Sequence, residues 1–69
     1  MEIIKLKSDY IKLGQALKAA GLCESGVEAK HAIAKGLVQV NGAVEFQRGK
    51  KLRGNDVVAY QGETIRIEG

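Results

Sequence analysis

Apolar residues recur with a helical period in the first half of the chain and with an alternating period in the second half. The first helical set stands at i, i+3, i+4 and i+7 and comprises Leu13, Ala16, Leu17 and Ala20. This spacing predicts one apolar face of an α-helix. Ser8 and Asp9 precede the set as good N-cap residues, and Gly21 follows it where a helix commonly ends. The sequence therefore predicts a first helix between these two signals.

A second helix has clearer end signals. Ser25 with Glu28 three residues later matches the capping box, in which each residue satisfies a backbone N–H group of the other. The apolar stripe behind it comprises Ala29, Ala32 and Ile33. Gly36 stands where the left-handed residue after a helix is expected. Because only a few residues separate the two predicted helices, we expect them to be neighbours in space.

Alternating polarity and turn residues predict β-structure in the rest of the chain. The strands are predicted over residues 2–7, 38–40, 44–46, 57–60 and 64–67. The first should lie at a sheet edge, where its lysines face water. Asn41-Gly42 is a strong signal for a two-residue hairpin turn. The order β-α-α-β-β-β-β predicts an α+β fold, with two packed helices against a small, twisted, mainly antiparallel sheet.

The composition indicates one small domain without disulfides. A chain of 69 residues is expected to form a single domain over residues 1–69. Cys23 is the one cysteine, which excludes an internal disulfide and a cysteine-cluster metal site. No apolar run approaches the ~20 residues of a membrane-spanning helix, and residues 1–5 lack the apolar stretch of a signal peptide. We therefore expect a cytoplasmic monomer that does not enter a membrane.

The position of the charges is more informative than their sum. A formal net charge of +3 is only a mild bias towards anionic partners. Four cations, however, stand within six positions, namely Arg48, Lys50, Lys51 and Arg53. Such a segment is either an ordinary solvated loop or a segment that binds phosphate, since neutralisation of phosphates by Lys and Arg releases counterions.

No residue pattern indicates catalysis. The sequence has neither a Ser-His-Asp set nor a glycine-rich phosphate loop that ends in Lys-Ser or Lys-Thr. His31 is the one histidine and has no second ligand at metal-binding spacing. The chain is also too short to enclose a typical ligand pocket of ~300 Å³ or more. We expect no catalytic residue, no metal, no cofactor and no small-molecule substrate.

Taken in order, these features resemble a known RNA-binding family. The matching positions are Leu13, Leu17, Gly21, Leu22, Ser25, Glu28, Ala29, Ile33, Gly36, residues 38–42, Leu52 and residues 56–58. They resemble the RNA-binding domain of ribosomal small-subunit protein S-four, also called the alpha-L RNA-binding motif, over residues 12–60. The steps at residues 26–30 and 48–52 are similar to those of its short, free-standing bacterial members, the YbcJ-like proteins.

The resemblance implies binding of structured RNA, either ribosomal or transfer RNA, with a role in ribosome assembly or translation and no cofactor. The residues expected to contact RNA on one basic face are Lys12, Ser25, Gly26, Lys30, Lys35, Asn41, Arg48, Lys50, Lys51 and Arg53. Asn41 also has a purely structural alternative, as a turn residue. Tyr10 and Tyr60 can stack on bases or pack at the edge of the core.

Three positions depart from the common pattern of that family. Gly14 stands where many members have an acid, and Gly26 stands where many have an arginine. Gly26 either lets a phosphate approach the positive N-terminus of the second helix or simply relaxes the helix entry. The third departure is the turn at residues 54–56, where Asn55 tolerates a left-handed backbone.

Two other functions fit parts of the sequence. A protein-docking adaptor would use an exposed sheet edge or the strand at residues 64–67. A small β-grasp sulfur carrier is disfavoured, because the sequence ends Ile67-Glu68-Gly69 and lacks the double glycine of such carriers.

Overall fold

A computed structural model describes every residue from Met1 to Gly69 and confirms the α+β class. The helices are α1 (Leu13–Ala19) and α2 (Gly26–Ala34). The strands are β1 (Glu2–Lys5), β2 (Ile11–Lys12), β3 (Val38–Val40), β4 (Ala43–Val44), β5 (Lys51–Leu52), β6 (Val57–Tyr60) and β7 (Glu63–Glu68). Neither helix has the length and the apolar run that a membrane-spanning helix requires.

Five of the strands form one mixed sheet in the order β1-β7-β6-β3-β4. β1 pairs with β7 in parallel, and the other neighbours are antiparallel. β1 therefore lies at a sheet edge, as the sequence predicts. The docking strand proposed at residues 64–67 is a wrong prediction, because β7 lies between β1 and β6 with both edges paired.

The two helices cover one face of this sheet and share a single core with it. The fully buried side chains come from helices and strands alike, and the largest are Leu13, Leu17, Ile33, Leu52, Ile65, Ile67, Val38 and Val58. Both apolar helical stripes point into this core, as predicted. Arg66 alternates with Ile65 and Ile67 along β7, so its exposed side chain lies on the sheet face away from the helices.

A two-stranded ladder between β2 and β5 was not predicted from the sequence. Ile11 pairs with Leu52, and Lys12 pairs with Lys51. This pairing keeps residues 11 and 12 extended, so α1 begins at Leu13 with Lys12 as its N-cap. The N-cap predictions for Ser8 and Asp9 are therefore wrong, and the Ser8 hydroxyl donates instead to the Tyr10 carbonyl at 3.2 Å.

The turn residues have the backbone angles that the sequence predicts. Asn41 and Gly42 have φ values of 52° and 84°, the pair of positive angles that a type I′ hairpin turn demands. Gly36 ends α2 with φ 74°. Asn55 adopts φ 76°, which confirms the left-handed backbone predicted for it.

Two local predictions need correction. The Ser25 hydroxyl accepts the Glu28 N–H at 3.1 Å, but the Glu28 carboxylate accepts the Glu24 N–H instead of that of Ser25, so the capping box is shifted by one residue. β4 ends at Val44, and Phe46 lies beyond the strand with 64% of its surface exposed. The Phe46 ring packs instead beside Gly36, where an added Cβ would lie 3.2 Å from it.

Candidate nucleic-acid interface

Residues 48–53, the basic segment, are held against the start of α1 by backbone hydrogen bonds. The Leu13 N–H donates to the Lys50 carbonyl at 2.9 Å, and the Gly14 N–H donates to the Arg48 carbonyl at 3.1 Å. The first N–H groups of a helix have no acceptor inside the helix. Here the backbone carbonyls of the basic segment are the acceptors for two of them. The segment is therefore a fixed part of the helix entry, and its cations have defined positions beside α1.

Gly14 makes room for the side chain of Arg48. A Cβ atom added to Gly14 would lie 2.7 Å from Arg48 Cγ and 3.3 Å from Cδ, well inside van der Waals contact. The stem of Arg48 thus crosses α1 at the one position of its first turn that carries no side chain. The departure from the family pattern at Gly14 therefore has a steric role in this chain.

A cleft of about 320 Å³ opens between this contact and the N-terminus of α2. Its lining contains three cations and three glycines but no acidic and no apolar side chain, and comprises Lys12, Gly14, Gln15, Lys18, Gly26, Arg48 and Gly49. Gly26 is the first residue of α2, so the partial positive charge of that helix end adds to the three cations. The cleft has the charge and the polar lining that suit a phosphate group.

The ladder between β2 and β5 extends this positive charge beyond the cleft. Lys12 and Lys51 are directly opposite each other, and both are exposed. Like charges at such a position destabilise a pair of strands, so the arrangement favours an anion that neutralises both.

Tyr10 organises two further cations. The Lys51 Nζ atom lies 4.8 Å from the centre of the Tyr10 ring, and the Arg53 guanidinium carbon lies 5.8 Å from it. Arg53 also donates to the Asp9 carbonyl at 3.5 Å. Tyr10 is half-buried and acts here as a cation–π partner, which orders the side chains of Lys51 and Arg53.

Asn41 has the structural role that its turn position allows. Its amide nitrogen donates to the Asp56 carboxylate at 3.0 Å, and its amide oxygen accepts the Val57 N–H at 2.9 Å. The Asp56 carboxylate also accepts the Arg53 N–H at 2.8 Å. The Asn41 side chain thus clamps the β3–β4 turn to the turn before β6, and its contact with RNA stays a prediction.

Asp56 introduces a carboxylate near part of the basic segment. Burial alone would raise the pKa of Asp56, but the hydrogen bonds from Arg53 and Asn41 and the charges of Lys50 and Arg53 together lower it. Lys50 and Arg53 are therefore partly neutralised within the protein. Lys12, Lys18 and Arg48 line a cleft that contains no acid, so their charges are better placed to attract a phosphate than those of Lys50 and Arg53.

The lowered pKa of Asp56 predicts a loss of stability in acid. The unfolded chain takes up this proton first as the pH falls, so the stabilisation is complete above the unfolded pKa of about 4 and disappears as the pH falls through the folded pKa. We expect Asp56→Asn to lower the free energy of unfolding by about 1–2 kcal/mol at pH 7 and by clearly less at pH 3. Urea unfolding at the two pH values measures both effects, with the exposed Glu63→Gln as control. Equal losses at both pH values would contradict this role.

Three other residues predicted to contact RNA lie outside the cleft. Lys30 is one helical turn beyond Gly26 on the same side of α2, but it does not line the cleft. Lys35 lines a different depression together with Glu28 and His31. Ser25 also lines that second depression, and its hydroxyl is occupied by the cap of α2. The cleft therefore brings together Lys12, Gly26 and Arg48 from the predicted set but does not include Lys35.

Four residues of the cleft are not among the predicted RNA contacts, namely Gly14, Gln15, Lys18 and Gly49. The sequence indicates a mainly solubilising role for Lys18 unless the basic face is broad, yet Lys18 stands at i+4 from Gly14 and thus shares its side of α1. That spacing is a signal the sequence does contain. Gln15 and Gly49 carry no comparable signal, because their place in the cleft depends on how the basic segment docks.

Comparison with known proteins agrees with the fold. A family model described as the S4 domain matches residues 4–68. YbcJ of Escherichia coli (strain K12) is 38% identical over 61 residues, which are 88% of this chain and 87% of YbcJ. RlbA of Bacillus subtilis (strain 168), named as a probable ribosome maturation protein, is 39% identical over 66 residues, which are 96% of this chain and 83% of RlbA.

A solved structure supports the same fold and family. The solution structure of YbcJ from E. coli, described as revealing an alpha-L motif involved in RNA binding, superposes with a TM-score of 0.77 at 36% identity. The superposition covers 100% of this chain and 89% of that one. The family match and these relatives cover nearly the whole chain, so the chain belongs to the S4 domain family.

Proposed function

We propose that this protein is a cytoplasmic, monomeric domain that binds structured RNA and that the cleft beside α1 is the centre of its RNA-binding face. The observation that carries the proposal is the acid-free lining of the cleft, in which Lys12, Lys18 and Arg48 surround the N-terminus of α2. Lys51 continues the same face, because it is paired with Lys12 across the ladder. A phosphate in the cleft and its neighbours along the backbone would satisfy these charges together.

The chemistry of the face favours shape recognition over the reading of bases. Its ligands are cations and backbone N–H groups, which contact phosphates and carry no sequence information. Folded RNA is recognised largely through the position of its phosphates and 2′-hydroxyls. We therefore infer that selectivity comes from the spacing of phosphates in a folded RNA.

Ribosomal RNA is the ligand that the relatives favour. RlbA is named for ribosome maturation, and the YbcJ structure is described by its RNA-binding motif. We propose that this protein binds a folded segment of ribosomal RNA during subunit maturation. Transfer RNA is the alternative within the same ligand class, and a parallel titration with both separates them.

A direct binding experiment tests this function. Fluorescence anisotropy with a labelled stem-loop of small-subunit ribosomal RNA should give a Kd in the micromolar range at 0.1 M salt, as expected for about four to six phosphate contacts. The same stem-loop made of DNA should bind more weakly, because it lacks the A-form geometry and the 2′-hydroxyls. No saturable RNA binding, or equal binding of the DNA form, would refute the proposal.

The contact between Gly14 and Arg48 predicts the effect of a single methyl group. Gly14→Ala should weaken RNA binding about 5- to 10-fold, since it displaces the Arg48 side chain and removes one phosphate contact. Folding stability should change by less than about 1 kcal/mol, because alanine favours the helix and offsets part of the steric cost. Anisotropy titrations and urea unfolding measure the two effects.

A double-mutant cycle controls for indirect effects. If Gly14 acts through Arg48, the variant Gly14→Ala/Arg48→Ala should bind RNA no more weakly than Arg48→Ala alone. Fully additive losses would show that Gly14 acts in another way.

Protein docking remains the second candidate function, and one observation favours it. β4 is a free sheet edge, and the apolar side chains of Val44 and Phe46 beside it are 45% and 64% exposed. An adaptor of this kind would retain its partners in affinity capture after nuclease treatment. The RNA-binding function predicts that co-purified material is lost with the RNA.

A further inference from the structure

A third and larger depression adjoins the cleft along α1. It has a volume of about 650 Å³ and lies between α1 and the chain that connects β1 to β2. Its lining comprises Ile4, Lys5, Leu6, Lys7, Ser8, Tyr10, Ile11, Gln15, Lys18 and Ala19. None of the ten residues expected from the sequence to contact RNA on the basic face lies in this groove, although Tyr10, for which base stacking is one alternative, does.

The groove combines an apolar floor with a basic rim. Ile4, Leu6 and Ile11 are half-buried, and their inner sides pack against the core. The remaining lining includes three lysines and no carboxylate. An apolar surface beside positive charge suits a nucleotide, because the base can pack on the apolar side chains while the phosphate contacts the lysines.

The groove is continuous with the cleft. Gln15 and Lys18 line both of them, so the two depressions adjoin along one exposed side of α1. An RNA strand with one phosphate in the cleft can therefore continue past Lys18 into the groove and remain beside cationic side chains along the way. This continuity and the acid-free lining point to the same ligand for both.

We propose that the groove binds an unpaired nucleotide of the RNA whose folded part occupies the cleft. This inference rests on the proposed function and adds a site to it. The base lies against Ile4, Leu6 and Ile11, and its phosphate lies between Lys7 and Lys18. The preferred ligand is then a duplex with a short single-stranded extension or bulge, not a continuous helix.

Two RNA probes separate this site from the cleft. One is a blunt 12-base-pair RNA duplex, and the other is the same duplex with a three-nucleotide uridine overhang. For the wild type the overhang should increase affinity about tenfold, at the low end of the range for a base stacked on an aromatic side chain, because the floor of the groove is aliphatic. Binding of the duplex without any gain from the overhang would overturn the groove alone, whereas binding of neither probe would overturn the proposed function as well.

Two variants locate the gain in the groove. Ala19 is exposed at the end of α1, and Ala19→Phe would fill the groove without a change of charge. It should reduce the gain from the overhang to less than twofold and leave the affinity for the blunt duplex unchanged. Lys7→Glu should also remove the gain, whereas Arg66→Glu on the far face of the sheet changes the charge equally and should preserve it. Thermal unfolding verifies that each variant is folded, and an intact gain in both groove variants would overturn the inference.

Discussion

The variant Lys12→Ala/Lys18→Ala/Arg48→Ala is expected to bind structured RNA at least about 100-fold more weakly than the wild type at 0.1 M salt. Each phosphate contact contributes about 0.7–0.9 to the log–log salt slope, so three contacts together account for roughly 100- to 500-fold in affinity at that salt concentration. The loss should be this large because the lining contains no acidic side chain that already neutralises these three cations. Anisotropy titration with the ribosomal stem-loop measures it.

Two controls separate the cleft from the overall charge. Arg66→Glu removes two units of positive charge on the far face of the sheet and should weaken binding by less than about threefold at 0.1 M salt, where charges more than ~10 Å apart are largely screened. Lys12→Arg/Lys18→Arg preserves both charges and should retain most of the affinity. A loss from Arg66→Glu as large as that from the triple variant would show that the binding is diffuse.

Leu52→Ala is expected to cost about 2–5 kcal/mol of folding stability, at a residue that also positions the site. Leu52 is fully buried in β5, where its backbone pairs with Ile11 and holds the basic segment to the core. A domain of this size has a total stability of only about 3–10 kcal/mol, so the variant should be partly unfolded at 37 °C. Urea unfolding at 25 °C measures the loss.

Leu37 provides a matched control for this truncation. It is the same residue type but 53% exposed, so Leu37→Ala should change the stability by less than about 1 kcal/mol. RNA affinity of the Leu52 variant should fall in proportion to its unfolded fraction. A stable Leu52→Ala protein with full RNA affinity would show that β5 does not anchor the basic segment.

The sequence predicts those parts of the fold that local physics determines. The apolar stripe through Leu13 and Leu17 requires a helix, and Asn41-Gly42 requires a hairpin turn, because both signals come from residues close together in the chain. The ladder between β2 and β5 has no such signal. Its strands contain two residues each, too few for alternation to be visible, and they are separated by both helices.

The site is predictable only where charge is clustered along the chain. Arg48 is found from its cationic neighbours, but its contact with Gly14 depends on a backbone docking between segments more than 30 residues apart. The same reason explains why Asn41 is ambiguous in the sequence, since its partner Asp56 is brought to it by the fold. Lys18 joins the cleft because it shares the side of α1 that carries Gly14, and that side becomes part of a site only once Arg48 docks there.

The salt dependence of RNA binding tests the central claim most directly, because its slope counts the phosphates that the protein neutralises. We predict that the slope of log Kobs against log[salt] for the triple cleft variant is smaller in magnitude than that of the wild type by about 2 to 3, the value for three lost phosphate contacts. An unchanged slope in a folded triple variant would contradict the claim that Lys12, Lys18 and Arg48 bind the RNA backbone.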